Sequence, residues 1–215
     1  MRCVSTAQMV KRILDLLEEE YPQAACALDH GETFELLVAV LLSAQTTDKS
    51  VNLVTPSLFE KYPDAKSLAQ ADEPELMETI KRIGMYKTKA RNLIAMARML
   101  ANEYGGIVPN SYDDLIKFPG VGRKTANVVL SVGFGQQRIA VDTHVFRVSN
   151  RIGLVNEKNV LDTELALMEA IPEHRWSRAH HSLIFHGRNC CVARKPRCTD
   201  CCIAGFCHHV KTQLN

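Results

Sequence analysis

Apolar residues recur every three or four positions along most of the chain, the spacing of helices that bury one face. This pattern predicts helices over residues 9–17, 34–42, 53–59, 76–83, 93–100, 160–171 and 176–185. Proline or glycine residues interrupt the pattern at positions 22, 63, 84, 105, 106 and 153. Only residues 139–141 suggest extended chain. Because consecutive helices joined by short turns pack as neighbours, the sequence predicts an all-α fold.

The composition is that of a compact protein. The chain has 215 residues, of which 46% are apolar and 23% are charged, so it can bury a core as one large domain or two small ones. Its longest apolar run, residues 36–42, is too short to span a membrane. Residues 6–20 alternate at helical spacing and show no signal-peptide core. We therefore expect a cytoplasmic protein, associated with the nucleoid if its source is a prokaryote.

Charge is distributed unevenly between the two halves of the chain. Residues 1–116 contain 12 Lys and Arg against 17 Asp and Glu, whereas residues 117–215 contain 14 against 7. The second half would attract a DNA backbone, and such binding should weaken as salt rises. Asymmetry of this size is common in proteins, so it only supports a role in nucleic-acid binding.

The most informative segment runs from Phe118 to Asn127 and contains a Pro-Gly-Val-Gly turn followed by a helix over residues 123–132. Such a turn lets the backbone fold tightly at Gly120 and Gly122, so that its N–H groups face outward where the helix begins. These amides and the positive end of the helix dipole form an anion site. The segment therefore predicts a phosphate clamp that requires no side chain.

Two chemically active residues accompany this turn. Lys124 lies beside the expected phosphate rather than at its tip, so it can act as a nucleophile instead of a counter-ion. Asp142 ends the apolar stretch 139–141 and stands at the N-cap of the next helix. Each feature also has a purely structural interpretation. The turn could be only a tight turn, Lys124 could be a solvated lysine, and Asp142 could be only a helix cap.

Six of the eight cysteines lie between Cys190 and Cys207. Four of them have the spacing of a single metal centre, with six, two and five residues between successive thiols. These four are Cys191, Cys198, Cys201 and Cys207. A disulfide framework is disfavoured because no signal-peptide core is present and Cys3 and Cys26 are distant. Structural zinc also takes four thiolates, so spacing alone leaves zinc and an iron–sulfur cluster open. Cys190 and Cys202 could compete as ligands, and we interpret them as buried thiols at the edge of the loop.

The hairpin segment with Lys124 and Asp142 and the cysteine loop both resemble the corresponding parts of the endonuclease III family of DNA glycosylases. The resemblance includes the Phe118–Asn127 turn with its lysine, the Val-Asp-Thr-His run around Asp142 and the cysteine loop with the preceding His-Gly-Arg at 186–188. It extends to the runs at 41–48, 83–90 and 192–197. It implies a [4Fe-4S] cluster held by the four cysteines, and a six-helix barrel domain over 26–136 that contains the helix-hairpin-helix. Residues 1–25 and 137–215 would form the second helical domain, with a cleft between the two.

The resemblance also implies an activity, a bifunctional DNA glycosylase and AP lyase of base excision repair that removes oxidised pyrimidines. Lys124 would attack the sugar and Asp142 would stabilise the transition state. The partner would be double-stranded DNA with damaged bases or abasic sites, bound by a monomer. Further DNA-binding residues would be Gln45, which fills the space left by the extruded base, and Met85, Gly120, Gly122, Arg123, Arg194 and Lys195. Methionine at 85 departs from the leucine that the bacterial pattern prefers, which leaves the opposite-base preference open.

Three other functions stay open from the sequence. An adenine-excising relative usually lacks the lysine and carries a further C-terminal domain. A monofunctional glycosylase for mismatched or alkylated bases would not need Lys124 either. A DNA-binding module without catalytic activity would use the hairpin only as a clamp and would need neither Lys124 nor Asp142. Trapping with borohydride on abasic DNA separates these possibilities, because only an imine is trapped.

Overall fold

A computed structural model of the chain describes residues 6–213, so Cys3 lies outside the described residues. The described residues are helical, as predicted, and contain no β-strand. Thirteen α-helices are found among them, in this order: α1 Ala7–Glu20, α2 Thr33–Leu42, α3 Asp48–Asn52, α4 Thr55–Lys61, α5 Ala65–Ala69, α6 Glu73–Thr79, α7 Tyr86–Glu103, α8 Tyr112–Leu115, α9 Arg123–Phe134, α10 Thr143–Ile152, α11 Val160–Ala170, α12 Trp176–Asn189 and α13 His208–Gln213. Short 3-10 turns form at Glu173–Arg175 and Ala204–Phe206. None of these helices combines the length and the apolar character needed to cross a membrane.

Each helix predicted from periodicity overlaps an observed one, but the bounds differ, and the helix expected over 93–100 already begins at Tyr86. The helix expected over 53–59 begins at Thr55, because Pro56 fits the first turn of a helix and fixes its start there. The helix expected over 76–83 is α6, which begins earlier, after the N-cap Asp72, and ends at Thr79. Residues 139–141 form no strand and are instead a buried stretch of irregular chain before α10.

The described residues divide into two compact units. One unit is Ala27–Gly135 and contains α2 to α9. Within it, α7 packs against α2, α5 and α6, and α2 also packs against α9. Every residue of α2 from Leu36 to Leu42 is buried, so this helix is the centre of that unit's core.

The other unit combines the described residues up to Cys26 with those from Gln136 onward. Its core is formed where α12 packs against α1 and α10. Two arginines of this unit tie its N-terminal part to α12. Arg175 donates to Asp15 at 2.8 Å and to Glu18 at 2.6 Å, and Arg178 donates to the carbonyl oxygens of Tyr21, Pro22 and Ala24. These bonds join residues that are more than 150 positions apart in sequence.

Candidate active site and cysteine-rich loop

The predicted hairpin joins α8 to α9 through a tight turn. The N–H group of Val121 donates to the carbonyl oxygen of Phe118 at 3.0 Å and closes this turn. Gly120 has φ +82°, and a Cβ there would lie 2.8 Å from Nδ2 of Asn92, so this position requires glycine for two reasons. Gly122 has φ −99° and ψ 179°, and nothing lies within 4 Å of its Cβ position. The backbone of the turn therefore requires glycine at position 120, whereas Gly122 has an extended conformation that other residues also adopt.

The first turn of α9 carries the features expected of an anion site. Gly122 is its N-cap, and no side chain caps the helix. The carbonyl oxygen of Gly122 accepts from the N–H group of Ala126 at 3.0 Å, which begins the helical ladder and aligns the preceding N–H groups with the helix axis. Arg123 follows, and its guanidinium donates to the hydroxyl of Tyr112 at 3.3 Å and lies 5.6 Å from the centre of that ring. Tyr112 therefore fixes Arg123 beside the turn.

Lys124 is the second residue of α9 and is half-buried. Among the residues that the structure describes, its amine forms no hydrogen bond and no ion pair. Lys117, in the same hairpin, differs because its amine donates to Asp114 at 2.7 Å. An amine that is not tied to a carboxylate can approach a substrate without breaking an ion pair, which is what a nucleophilic lysine needs.

Asp142 caps α10, as the sequence predicts. Its Oδ1 accepts from the N–H groups of His144 and Val145, both at 2.8 Å. The three residues before it are buried, and Asp142 itself is half-buried, so the carboxylate is held at a fixed place at the edge of the core. Both bonds use one oxygen. Oδ2 makes no hydrogen bond within residues 6–213 and can face a substrate.

Gln45 and Met85 lie in two loops that meet. Gln45 follows the end of α2 with φ +54°, and Met85 precedes α7 with φ +57°. A Cβ on Gly84 would lie 3.5 Å from the carbonyl oxygen of Gln45, so the two loops are in contact. Both side chains are exposed, and 53% of Met85 is accessible to solvent.

Positive φ angles coincide with predicted DNA-binding positions. Within the described part of the chain, the residues other than glycine with positive φ are Gln45, Met85 and Lys195. Backbone strain of this kind costs free energy and concentrates at sites where function requires it. Lys195 and its neighbour Arg194 are both exposed at the tip of the cysteine loop. All three strained residues were predicted from the sequence to contact DNA.

The four predicted ligand cysteines line one small cavity. Cys191, Cys198, Cys201 and Cys207 surround it together with His186 and Cys190. In the structure, all of these cysteines are free thiols. Burial raises the pKa of Cys201 to about 12 and also raises the pKa of Cys207, so a bound cation is needed to keep them as thiolates at neutral pH.

His186 and Cys190 lie close to the predicted ligand Cys201. Atoms of His186, Cys190 and Cys201 lie within 4.8 Å of one another, which is a geometry that could hold a metal ion. His186 is fully buried, and burial lowers its pKa to about 4. Its Nδ1 lies 3.2 Å from the hydroxyl of Tyr21 and its Nε2 lies 3.7 Å from Sγ of Cys201. The neutral imidazole therefore links Tyr21 to a predicted ligand.

Cys190 and Cys202 differ in their surroundings. Cys190 is buried, as expected, and its Sγ lies 3.4 Å from the carbonyl oxygen of Arg197. Cys202 is only partly buried and lines a second pocket with Glu20 and Tyr21, which Cys190 also borders. The interpretation as a buried thiol therefore applies to Cys190 and only in part to Cys202.

Two arginines of α10 support the first part of the cysteine loop, a role that we did not predict from the sequence. Arg147 donates to the carbonyl oxygens of Gly187 at 2.9 Å and Cys191 at 3.1 Å. Arg151 donates to the carbonyl oxygen of Val192 at 2.8 Å and lies 3.6 Å from Sγ of Cys191. Their spacing of four residues places both on one face of α10, which is the only signal the sequence carries.

Comparison with known proteins gives consistent matches. Residues 38–173 match the family described as HhH-GPD superfamily base excision DNA repair protein. Endonuclease III of Bacillus subtilis is 48% identical over 201 residues, which are 93% of this chain and 92% of that protein. Endonuclease III of Escherichia coli is 44% identical over 197 residues, covering 92% and 93% of the two chains. A solved structure of a trapped covalent intermediate between endonuclease III and DNA has 46% identity and a TM-score of 0.93, and covers 98% of this chain and 100% of its own.

Proposed function

Because the chain belongs to the endonuclease III family of base excision DNA repair proteins, and is thus a DNA glycosylase and AP lyase, we propose that Lys124 is its nucleophile and oxidised pyrimidines are its substrates. The observation that carries the proposal is the position of Lys124. Its amine lies on the first turn of α9, directly after a turn suited to a phosphate, and is not tied to any described carboxylate.

The reaction begins with extrusion of the damaged nucleotide, because an amine on the protein cannot reach a base inside a duplex. The amine of Lys124 then forms a bond to the sugar C1′ while the bond from C1′ to the base breaks and the base leaves with the electron pair and a proton. The bond from C1′ to the ring oxygen then breaks, the ring oxygen keeps the electron pair and takes up a proton, and a protonated imine forms between Lys124 and C1′. This imine acidifies the proton on C2′, and its removal expels the 3′ phosphate by β-elimination. One nucleophile thus provides both activities.

Asp142 is proposed to act as a carboxylate. Its Oδ1 is occupied by the capping bonds to His144 and Val145, and its Oδ2 is available for the substrate. The developing positive charge on the sugar is stabilised by a fixed negative charge, which requires no reorganisation at the moment of reaction. The same oxygen can move protons during the departure of the base.

Binding to DNA is proposed to use three surfaces. The turn with Gly120, Gly122 and Arg123 would hold a backbone phosphate through N–H groups and one guanidinium. The exposed side chains of Gln45 and Met85 would enter the duplex where the nucleotide leaves it. Arg194 and Lys195 would contact phosphates with their charges. The strained backbone at Gln45, Met85 and Lys195 supports this assignment.

We also propose that the metal group is a [4Fe-4S] cluster held by the four predicted cysteines. The set of donors fits, because four thiols without disulfides line one cavity and thiolates are the ligands of such clusters. When bound, the cluster supplies a rigid cross-link for the loop. The cross-linked loop would then hold Arg194 and Lys195 in an orientation that faces the DNA phosphates.

The proposed domains are 26–136, with the helix-hairpin-helix, and 1–25 plus 137–215, with the cysteine loop. The separation of the described residues into compact units after Cys26 and after Gly135 supports this division.

Borohydride trapping tests the nucleophile. Wild-type protein and Lys124→Gln are incubated with duplex DNA containing an abasic site, and Lys117→Gln serves as a matched control because it changes another lysine of the same hairpin. We expect a covalent complex with wild type and Lys117→Gln, and none with Lys124→Gln, which should still bind the DNA. Trapping of Lys124→Gln at the wild-type rate would show that another amine carries the chemistry. Absence of trapping with wild type would favour a monofunctional glycosylase or a non-catalytic module.

A further inference from the structure

Lys89 is a buried lysine that the proposed chemistry does not use. Only 6% of it is exposed, although it lies in the first turn of α7. Its Nζ donates to the carbonyl oxygens of Leu42 at 2.9 Å and Ala44 at 2.6 Å, and to Oγ1 of Thr46 at 3.0 Å. All three acceptors belong to the end of α2 and the loop that follows it. One amine therefore joins the start of α7 to the loop that carries Gln45.

The electrostatic setting explains why a lysine can be placed there. The last carbonyl groups of a helix have no partners within the helix and form the negative end of its dipole, which favours a cation. Burial nevertheless lowers the pKa of Lys89, and no carboxylate is among its hydrogen-bond partners. A buried charge is costly and an apolar side chain would avoid that cost. What the lysine adds is therefore its set of bonds to the loop.

The second loop leads directly into the helix that carries Lys89. The backbone N–H group of Lys89 donates to the carbonyl oxygen of Met85 at 3.0 Å, while its side chain bonds both neighbours of Gln45 in the chain. Gln45 and Met85 both have positive φ, and such strain persists only where the surroundings fix the backbone. The contact between Gly84 and the carbonyl oxygen of Gln45 brings the two loops together. Lys89 thus bonds both chain neighbours of Gln45 through its amine, and the carbonyl group of Met85 through its backbone.

We propose that Lys89 is a positioning residue that locks Gln45 and Met85 into one rigid wedge, which opens the duplex when the damaged nucleotide is extruded. This inference rests on the proposed insertion of Gln45 and Met85 into DNA. Lys89 is not a second nucleophile, because its amine is enclosed and bonded to three oxygens. Its contribution is to keep the side chains of Gln45 and Met85 in place when base pairs are separated.

The test compares Lys89→Met with Lys87→Met. Methionine keeps the length and packing of the side chain but cannot donate, and Lys87 is an exposed lysine of the same helical turn. Two rates are measured for each variant: excision of a damaged base from duplex DNA under single-turnover conditions, and borohydride trapping on a single-stranded oligonucleotide with an abasic site. A fluorescent adenine analogue next to the lesion reports unstacking.

We expect Lys89→Met to slow duplex excision by about tenfold or more relative to Lys87→Met and to reduce the fluorescence change. Trapping on the single strand, which needs no wedge, should be equal in the two variants. Equal duplex rates in the two variants would overturn the inference. A parallel loss of duplex and single-strand activity in Lys89→Met would overturn it as well, since the residue would then only support the fold. Failure of wild-type trapping would instead count against the proposed nucleophile.

A second variant keeps the test decisive if Lys89→Met does not fold. Thr46→Val removes one acceptor of the Lys89 amine with little change in shape. It should slow duplex excision in the same direction and leave single-strand trapping unchanged. The double variant Thr46→Val with Lys89→Met, where it folds, should be no slower than Lys89→Met alone, because both changes break the same bond. An additive loss would contradict a shared role.

Discussion

A side chain at Gly120 would collide with Asn92, since its Cβ would lie 2.8 Å from Nδ2 and 3.1 Å from Cβ of that residue. Gly120 also has φ +82°, which L side chains rarely adopt. We therefore predict that Gly120→Ala destabilises the protein by about 1–3 kcal/mol. Chemical denaturation measures this change. A free energy of unfolding equal to that of wild type would show that α7, which carries Asn92, yields to the added methyl group.

Gly122 provides the matched comparison, because the same substitution there meets no atom within 4 Å and requires no unusual backbone angle. Gly122→Ala should leave the free energy of unfolding within about 0.5 kcal/mol of wild type. The added methyl group would occupy the space through which a phosphate approaches the N–H groups. Affinity should therefore fall equally for damaged and undamaged duplex, as measured by titration. A loss confined to damaged DNA would place the turn in the base pocket instead of on the backbone.

These two glycines show what sequence reasoning can and cannot provide. The Pro-Gly-Val-Gly run was enough to predict a tight turn before a helix, and that turn is present. The sequence could not tell which glycine is required by the backbone, because that depends on Asn92 from another helix. A chemical motif is local in sequence, whereas the space around it is created by distant residues.

Most helices of seven residues or more were predictable from periodicity, and the shortest ones were not. Those with several turns, such as α1, α2 and α12, show a full apolar period and were predicted. The short helices α5 and α8 have five and four residues, too few for a period to appear. They are defined instead by the caps Asp64 and Ser111, whose side chains accept from Ser67 and Asp114. Helices this short can be found in a sequence only by their capping residues, because they have no apolar period.

Lys89 was missed because a lysine is normally read as a surface residue. The sequence places it four positions after Met85, on the first turn of α7, but does not show that the end of α2 packs there. Its role depends mainly on two carbonyl groups that lie 47 and 45 positions away in the chain. Every amino acid offers such carbonyls, so no residue type could signal the contact.

Asp142→Asn tests charge separately from shape. Asparagine is also a good N-cap, so the variant should keep the bonds to His144 and Val145 and the stability of wild type. Base excision should fall by about 100-fold, because the transition state loses a fixed negative charge. Single-turnover kinetics measures the loss. Asp142→Ser, which caps without charge, should be equally slow, and normal excision by either variant would leave Asp142 with the role of a cap alone.

Arg194 and Lys195 can be tested through salt dependence. Reversal of either charge should reduce the slope of binding affinity against salt concentration by about one unit for each lost phosphate contact. Lys158→Glu is a suitable control, since Lys158 is exposed and lies outside the cysteine loop. The control slope should match wild type. Equal slopes in all three variants would show that the tip of the loop does not contact DNA.

The last prediction concerns the ligand set of the cysteine loop. Purified protein should contain about four iron and four sulfide per chain, as expected of a cluster held by four thiolates. Cys198→Ser should lose this iron, because Cys198 lines the cavity shared by the predicted ligands. Cys202→Ser is the matched control and should retain it, since Cys202 lines another pocket.

Cys190 decides between two ligand sets for that cluster. Its thiol lies in the same cavity and within 4.8 Å of His186 and Cys201, so geometry alone would allow it to bind metal. The spacing instead assigns Cys191, and Arg151 lies 3.6 Å from that sulfur, where a positive charge stabilises a thiolate. Cys190→Ser should therefore keep its iron and Cys191→Ser should lose it, as measured by metal analysis after anaerobic purification. The reverse result would move the ligand set one residue earlier, and zinc without iron in the wild type would replace the cluster with a structural zinc site.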